Sequence, residues 1–302
     1  MTVVKISSLK KQFNSLEVIK GLDFELKKGS CVALLGANGA GKTTTLQMLS
    51  GLMRPTSGSI SFSGLKAGDD FRKLIGYLPQ HAVFYEWMTG EEFLVYAGQL
   101  AGLTKQKAKE RTKELLELVG IADAKKRRIG KYSGGMKQRL GIAQAIIHQP
   151  KLVMLDEPVS ALDPFGRREV LELLGKLKKE TTILFSTHIL NDAEEVCDEI
   201  LFLHDGKIVE SGTMDDLRDK HQQAKIDIRV RENIERYVDQ LSLHVGIQSV
   251  TYEGNKASIF VEKVEDARKI ILQHAIEEEW PLIKFEISKT SLEDVFMKVV
   301  QK

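Results

Sequence analysis

Short apolar runs alternate with segments of helical period through about residue 212. The runs CVALLG, LVMLDE, TTILFSTH and EILFLHDG are continuously apolar and only a few residues long. Leucine and β-branched side chains on both faces predict strands buried in a parallel sheet. The opening VVKISSLKKQFNSLEVIKGLDFELKKG is broken by turn residues and predicts antiparallel strands, with GSISFSG as a further short strand. Between about 88 and 150 the pattern becomes helical, and Thr104 is placed to cap a helix ending at Gly120. This is a helical insertion in an α/β core. Within it, Met136, Leu140, Ala143 and Ile147 recur at helical spacing just after Ser133, Gly134 and Gly135. A helix that starts on Ser-Gly-Gly has the form of an anion site, because free N–H groups and the helix dipole both point there.

After DGKIVESGT the pattern changes. A short helix around Asp215 to His221 leads to a strand (KIDIRV), a helix (NIERYVDQLS) and a hairpin of IQSVTY and ASIFVE about EGN. A helix (VEDARKIILQHAIEEE) and a strand (LIKFEI) follow. That β-α-β-β-α-β order predicts a small split βαβ domain, closed by an amphipathic helix, SLEDVFMKVV. The expected division is 1–222 for the α/β domain, with its helical subdomain at about 88–150, and 223–302 for the α+β domain.

Composition narrows the classes. Across 302 residues, 42% are apolar and 28% charged, with a formal net charge of +2. This is ordinary globular composition, and the near-neutral charge argues against a nucleic-acid partner. One local excess runs from Thr104 to Lys131 and includes Lys105, Lys107, Lys109, Arg111, Lys113, Lys125, Lys126, Arg127, Arg128 and Lys131. It fits a solvated helix face or a surface near anionic headgroups. The two cysteines, Cys31 and Cys197, sit among apolar neighbours and fit reduced core residues rather than a disulfide. Met1 leads straight into a strand-like TVVKI, so no signal peptide is expected. The longest apolar stretch, FLVYAGQLAGL, is about 11 residues and suits a buried helix better than a membrane span.

The chemistry concentrates at strand ends. Gly36, Gly39, Gly41, Lys42 and Thr43 have the spacing G-x-x-x-x-G-K-T between a strand and a helix. Glycines there let backbone N–H groups curl around phosphate oxygens. Lys42 supplies positive charge to the β- and γ-phosphates, and Thr43 offers a hydroxyl to Mg²⁺. KLVMLDEP ends a buried strand in Asp156, a second candidate for the metal, and Glu157, which can take a proton from an attacking water. Gln80 in IGYLPQ and His188 in TTILFSTH end two further apolar strands. If all four strands share a sheet, these residues gather on its carboxyl edge, where the glutamine can bind Mg²⁺ or water and the histidine a γ-phosphate.

The set Gly36–Thr43, Gln80, YSGGM, LDEP, SALD and His188, in this order, resembles the nucleotide-binding domain of ATP-binding cassette (ABC) proteins, over about residues 2–220. The resemblance implies a P-loop NTPase α/β fold with an antiparallel β subdomain and helical insertion. It also implies ATP and Mg²⁺ as cofactors, and a cradle of Gly36, Ala37, Asn38, Gly39, Ala40, Gly41, Lys42, Thr43 and Thr44. Phe13, in LKKQF, matches the aromatic residue on which adenine stacks; a strand core residue is the competing reading. The family works as head-to-tail pairs, which gives Ser133, Gly134 and Gly135 a role on the γ-phosphate held by the other subunit. No strong arginine finger is evident within the chain. Asp163 in SALD would run along the same interface, and followed by Pro164 it is also a good helix cap.

The sequence departs from the usual Leu-Ser-Gly-Gly-Gln signature at Tyr132 and Met136. Tyr-Ser-Gly-Gly-Met and SLEDVFMKVV resemble the ATPases of type-2 ABC exporters. That implies a homodimer docked on a separate integral membrane permease, placing the chain in the cytoplasm on the inner face of the membrane. HAVFYEWMTGEEFLVYAGQLAG, with Phe84, Tyr85 and Trp87, matches the groove that receives a cytoplasmic helix of the permease; ordinary core is the alternative. The competing class, soluble ABC ATPases of translation or DNA repair, typically carries paired cassettes, long coiled coils or zinc cysteines. This sequence has none of these.

Overall fold

The computed structural model describes residues 1–66, 69–221, 224–238, 241 and 246–289. Its chain packs into two units, Met1–Met214 and Asp215–Lys302.

The first unit opens with β1 (Thr2–Phe13) and β2 (Leu16–Lys27). Then come β3 (Cys31–Leu35), α1 (Lys42–Leu49), β4 (Ser57–Phe62) and β5 (Ile75–Leu78). The helical insertion holds α2 (Gly90–Leu100), α3 (Lys105–Leu118) and α4 (Gly134–Ile146). The chain returns through β6 (Leu152–Asp156), α5 (Pro164–Leu177), β7 (Thr182–Thr187) and α6 (Leu190–Val196). It finishes with β8 (Glu199–His204) and β9 (Lys207–Thr213).

Strands β5, β6, β7, β3 and β8 lie side by side and parallel in that order, with β9 antiparallel at the edge. Every residue of β3, β6 and β7 is buried, as their unbroken apolar runs require. The opening strands form a separate antiparallel sheet in the order β2-β1-β4. One apolar cluster joins the sheets: Ile6, Leu9, Leu22 and Leu26 meet Leu46, Met48 and Leu49 of α1 and Leu34, Met154 and Leu184 of the parallel sheet. Each such side chain contributes about 1.5–3 kcal/mol by burial, so the helix behind the cradle is clamped from both sides.

The insertion is bounded by its caps. Thr89 and Glu92 form a reciprocal capping box at α2. Thr104 caps α3, which ends two residues short of Gly120, a glycine of positive φ (66°). Lys105, Lys107, Lys109 and Lys113 lie on the exposed side of α3. Of the aromatics that could line a groove or fill the core, Phe84 is half-buried, edge-on to Phe93 at 5.3 Å. Tyr85 and Trp87 are exposed. Cys31 and Cys197 are free thiols with Sγ atoms 3.9 Å apart, and burial pushes the Cys197 thiol up.

The chain passes from the first unit into the second at the start of α7 (Met214–His221), followed by β10 (Ala224–Val230), α8 (Glu235–Val238), β11 (Ile247–Glu253), β12 (Lys256–Val261), α9 (Val264–Glu277) and β13 (Leu282–Lys289). Its sheet runs β11-β12-β10-β13, each neighbour antiparallel. This is the expected βαββαβ arrangement, with a core of Ile226, Ile228, Ile259, Ile271 and Trp280 among others. The closing helix expected at SLEDVFMKVV lies outside the described residues.

Candidate functional site

Parallel strands place the residues that follow them on one sheet edge, and the register fixes which meet. Leu78 pairs with Leu155, Asp156 with Ser186, and Leu35 with Thr187. Gly36, Asp156, Glu157 and His188 therefore emerge together at the carboxyl edge.

The cradle follows β3. Gly36 is packed so closely that a Cβ would lie 2.3 Å from the Leu203 carbonyl oxygen. Gly41, at φ 106°, would drive a Cβ to 2.5 Å from Ile19 Cδ1. No side chain caps α1, so its first-turn N–H groups are left facing the loop. Ala37, Asn38 and Gly39 are exposed, whereas Ala40 is buried. Gly36→Ala should lower the melting temperature and abolish nucleotide binding in a fluorescent-ATP titration, because the added methyl would run into a backbone carbonyl, which has no rotamer to escape through. Unchanged binding would show that the loop can shift.

Lys42 is 6% exposed, and its ammonium donates to the carbonyls of Gly36 (2.9 Å) and Ala37 (3.2 Å). It also pairs with Glu157 Oε1 at 3.3 Å. Glu157 lies at φ 48°, a left-handed conformation in a residue other than glycine. Such strain costs roughly 1–2 kcal/mol and tends to persist where function over-determines it. His188 Nδ1 reaches the same carboxylate at 3.1 Å. Asp156 is 1% exposed. Its Oδ1 accepts from the Ser186 hydroxyl at 2.6 Å, and its Oδ2 is buried with no hydrogen-bond partner.

That orphaned carboxylate oxygen is the observation a divalent cation fits. A buried, unpaired anionic oxygen is costly, and a hard cation or its bound water would satisfy it. Thr43 stands half-buried in the first turn of α1, beside the cradle lysine, with Thr44 next to it. Tyr77, on β5, also has a buried hydroxyl without a partner. Burial, and then the nearby Asp156 charge, push its phenol well above the ordinary range.

Other expected residues stand apart from this cluster. Gln80 is exposed just beyond β5, with no hydrogen bond to the cluster among the described residues. Phe13 is 42% exposed at the end of β1, with the Lys11 ammonium 4.9 Å from its ring centre. It is a surface aromatic rather than a core one. Asp163 caps α5 by accepting the Gly166 N–H at 2.7 Å, with Pro164 in the first turn.

Ser133 caps α4 by accepting the Met136 N–H at 3.2 Å. Its hydroxyl proton remains to be donated elsewhere. Ser133 and Gly134 are exposed. A Cβ on Gly134 would meet nothing within 4 Å, and one on Gly135 only the Gly166 Cα at 4.0 Å. Among the described residues nothing requires glycine at either position. Tyr132, by contrast, is a local packing residue: it is buried, donates to the Ala124 carbonyl at 2.8 Å and lies against Gly90.

Two groups escaped sequence reasoning. Ser186 touches both Asp156 and the Glu157 backbone; its only sequence signal is a polar residue inside an apolar strand, two before His188. Asp192, buried on α6, binds Arg167 of α5 at 2.5 Å. The pair ties the helix after Asp163 to the helix after His188. Burial raises the Asp192 carboxyl despite the arginine.

Comparison with known proteins supplies the wider setting. An ABC transporter family model matches residues 19–160. A model for the C-terminal domain of DrrA1-3-like ATP-binding proteins matches residues 212–300. The uncharacterized ABC transporter ATP-binding protein YxlF of Bacillus subtilis (strain 168) is 46% identical over 99% of both chains. The bacitracin transport ATP-binding protein BcrA of Bacillus licheniformis is 34% identical over 99% of this chain and 97% of its own length. A solved ATP-binding subunit of an ABC transporter, 35% identical, superposes with a TM-score of 0.65 over 72% of this chain and 92% of its own.

Proposed function

The chain belongs to the ABC transporter ATP-binding proteins and is an ATPase of that class; from this premise we propose that it energises a type-2 exporter as a homodimer docked on a separate membrane subunit. The similarity to a bacitracin transport protein and the DrrA-like C-terminal domain support the exporter branch. Among the described residues no helix is long and apolar enough to cross a membrane, which fits a permease in another chain. On this reading the protein sits in the cytoplasm on the inner face of the membrane.

The observation that carries the proposal is the contact of Lys42 and His188 with Glu157, to which Asp156 is joined through Ser186. Lys42, the loop of Gly36 to Gly41 and the first turn of α1 bind the phosphates, and Phe13 offers its exposed ring to the adenine. Thr43, Asp156 and Gln80 would hold Mg²⁺. When bound, that ion neutralises charge on the β- and γ-phosphates. Glu157 takes the proton of the attacking water, and His188 holds the Glu157 carboxylate in place and reaches the γ-phosphate.

Ser133, Gly134 and Gly135 complete the site of a second subunit. The two glycines cost roughly 0.5–1 kcal/mol each in a helix, and no packing among the described residues accounts for them. A phosphate approaching the exposed helix start does. Asp163 flanks the same interface. Charge repulsion between the products reopens the pair.

Val83, Tyr85, Tyr96 and Leu100 expose apolar surface around a cavity of about 540 Å³ floored by Ile75, Gly76 and Phe93. Trp87 stands next to Tyr85. A cytoplasmic helix of the permease fits this groove, since exposed apolar patches of this kind mark interaction sites.

ATP turnover per subunit should therefore rise with subunit concentration until the dimer saturates. A constant specific rate across the range where sedimentation shows monomers would remove the paired-site reading. With the permease present, Val83→Glu together with Trp87→Glu should abolish association yet leave turnover by the isolated chain within about two-fold, as surface changes usually do.

A further inference from the structure

One buried hydroxyl outside the family motifs contacts both acidic residues of the site. Ser186 is fully buried, next to last in β7. Its Oγ donates to Asp156 Oδ1 at 2.6 Å and accepts the backbone N–H of Glu157 at 2.8 Å. A serine hydroxyl has the one proton and the lone pairs needed for both, so the two bonds orient each other.

The bonds act on different parts of the chemistry. With Oδ1 engaged, the Asp156 carboxylate is fixed with Oδ2 as its unpartnered oxygen. The bond to the Glu157 N–H ties down a residue in the left-handed region (φ 48°), where an untethered residue would relax. The Glu157 carboxylate is then held 3.3 Å from Lys42 and 3.1 Å from His188. His188 follows Ser186 by two residues, so the end of β7 grips Glu157 at its backbone and again at its carboxylate.

We propose that Ser186 is a positioning residue for ATP hydrolysis: its hydroxyl sets Asp156 with one oxygen free for the metal and fixes the Glu157 turn that aims the base. This rests on the ATPase reading of the site. The alternative is a small side chain that only fills space between β6 and β7, and the two roles separate experimentally. Ser186→Cys keeps the shape at a slightly larger size but donates weakly; Ser186→Ala removes the group; Ser186→Thr keeps the hydroxyl.

The full chain is titrated with a fluorescent ATP analogue without metal, then with Mn²⁺ in the presence of ATP, following the free Mn²⁺ signal by electron paramagnetic resonance. Metal-free nucleotide binding should be unchanged in all variants. Mn²⁺ binding should weaken about 10-fold and kcat fall about 10–100-fold in both Ala and Cys variants, the usual range for a residue that orients a metal ligand. KM for ATP should stay near that of the wild type, and Ser186→Thr should recover most of kcat. Wild-type Mn²⁺ binding and kcat in the Cys variant would overturn the proposal and leave a space-filling role. An Ala variant that fails to fold leaves the Cys variant to decide. A wild-type chain that neither binds Mn²⁺ with ATP nor hydrolyses ATP would sink the reading of the site itself, a separate result.

Discussion

Glu157→Gln should stop turnover while leaving ATP bound. The substitution keeps the shape of the side chain and removes its capacity to take a proton. Loss of a positioned base costs about 10²–10⁴-fold, and kcat should fall within that range. Nucleotide affinity should not weaken, because the Lys42 ammonium released from its 3.3 Å pairing with Glu157 still faces the phosphates and keeps its bonds to the Gly36 and Ala37 carbonyls. On the proposed paired mechanism, blocked hydrolysis leaves no products to drive the subunits apart. The variant should therefore elute as a stable dimer in ATP and Mg²⁺ and as a monomer without them. Turnover within a few-fold of wild type, in a variant whose melting temperature is unchanged, would remove Glu157 from the role of base.

Ser133→Arg should be as severe by a different route. The residue is exposed at the start of α4 and its own cradle lies elsewhere, so a bulky cation there leaves ATP binding by the same subunit intact. On the proposed paired site, it obstructs the approach of that helix start to a second subunit's γ-phosphate. Removing one such preorganised donor costs about 10²–10³-fold, and the added bulk opposes closure further. The decisive measurement is mixing. With the variant in excess and the pair held together by the permease, wild-type subunits sit in mixed pairs, and each wild-type cradle faces an arginine. Wild-type activity should fall toward the fraction of wild-type pairs remaining. Activity unaffected by the variant, with mixed pairs verified by native mass spectrometry, would place the role of Ser133 within its own chain.

Much of this site was legible because its motifs are local. The glycine spacing, Asp156 and Glu157 after an apolar run, and Ser133 ahead of a helical period each lie within a few residues of the element that presents them. Caps were equally readable: Thr104 and Asp163 cap the helices their positions predict, since a cap needs only its own helix's first turn. The aromatics near the groove were less so. Phe84, Tyr85 and Trp87 share one stretch of sequence, yet Phe84 turns inward onto Phe93 and its neighbours do not. An irregular segment has no period to sort its faces. Tyr132 read only as a departure from the usual signature; its contacts with Ala124 and Gly90 of the insertion come from the fold.

By itself the sequence determined the elements, their types and the residues at their ends, because side-chain periodicity and turn chemistry act over short stretches of chain. It also carried the βαββαβ order of the second unit. Only the tertiary structure decided that β6 lies beside β7 and β7 beside β3, a strand order that no local pattern specifies. On that order depend the contacts of Glu157 with Lys42 and His188, and those of Ser186 with Asp156 and Glu157. The partners in the closest of these are about thirty residues apart in sequence, and parallel pairing across a buried sheet is what brings their side chains within hydrogen-bond reach.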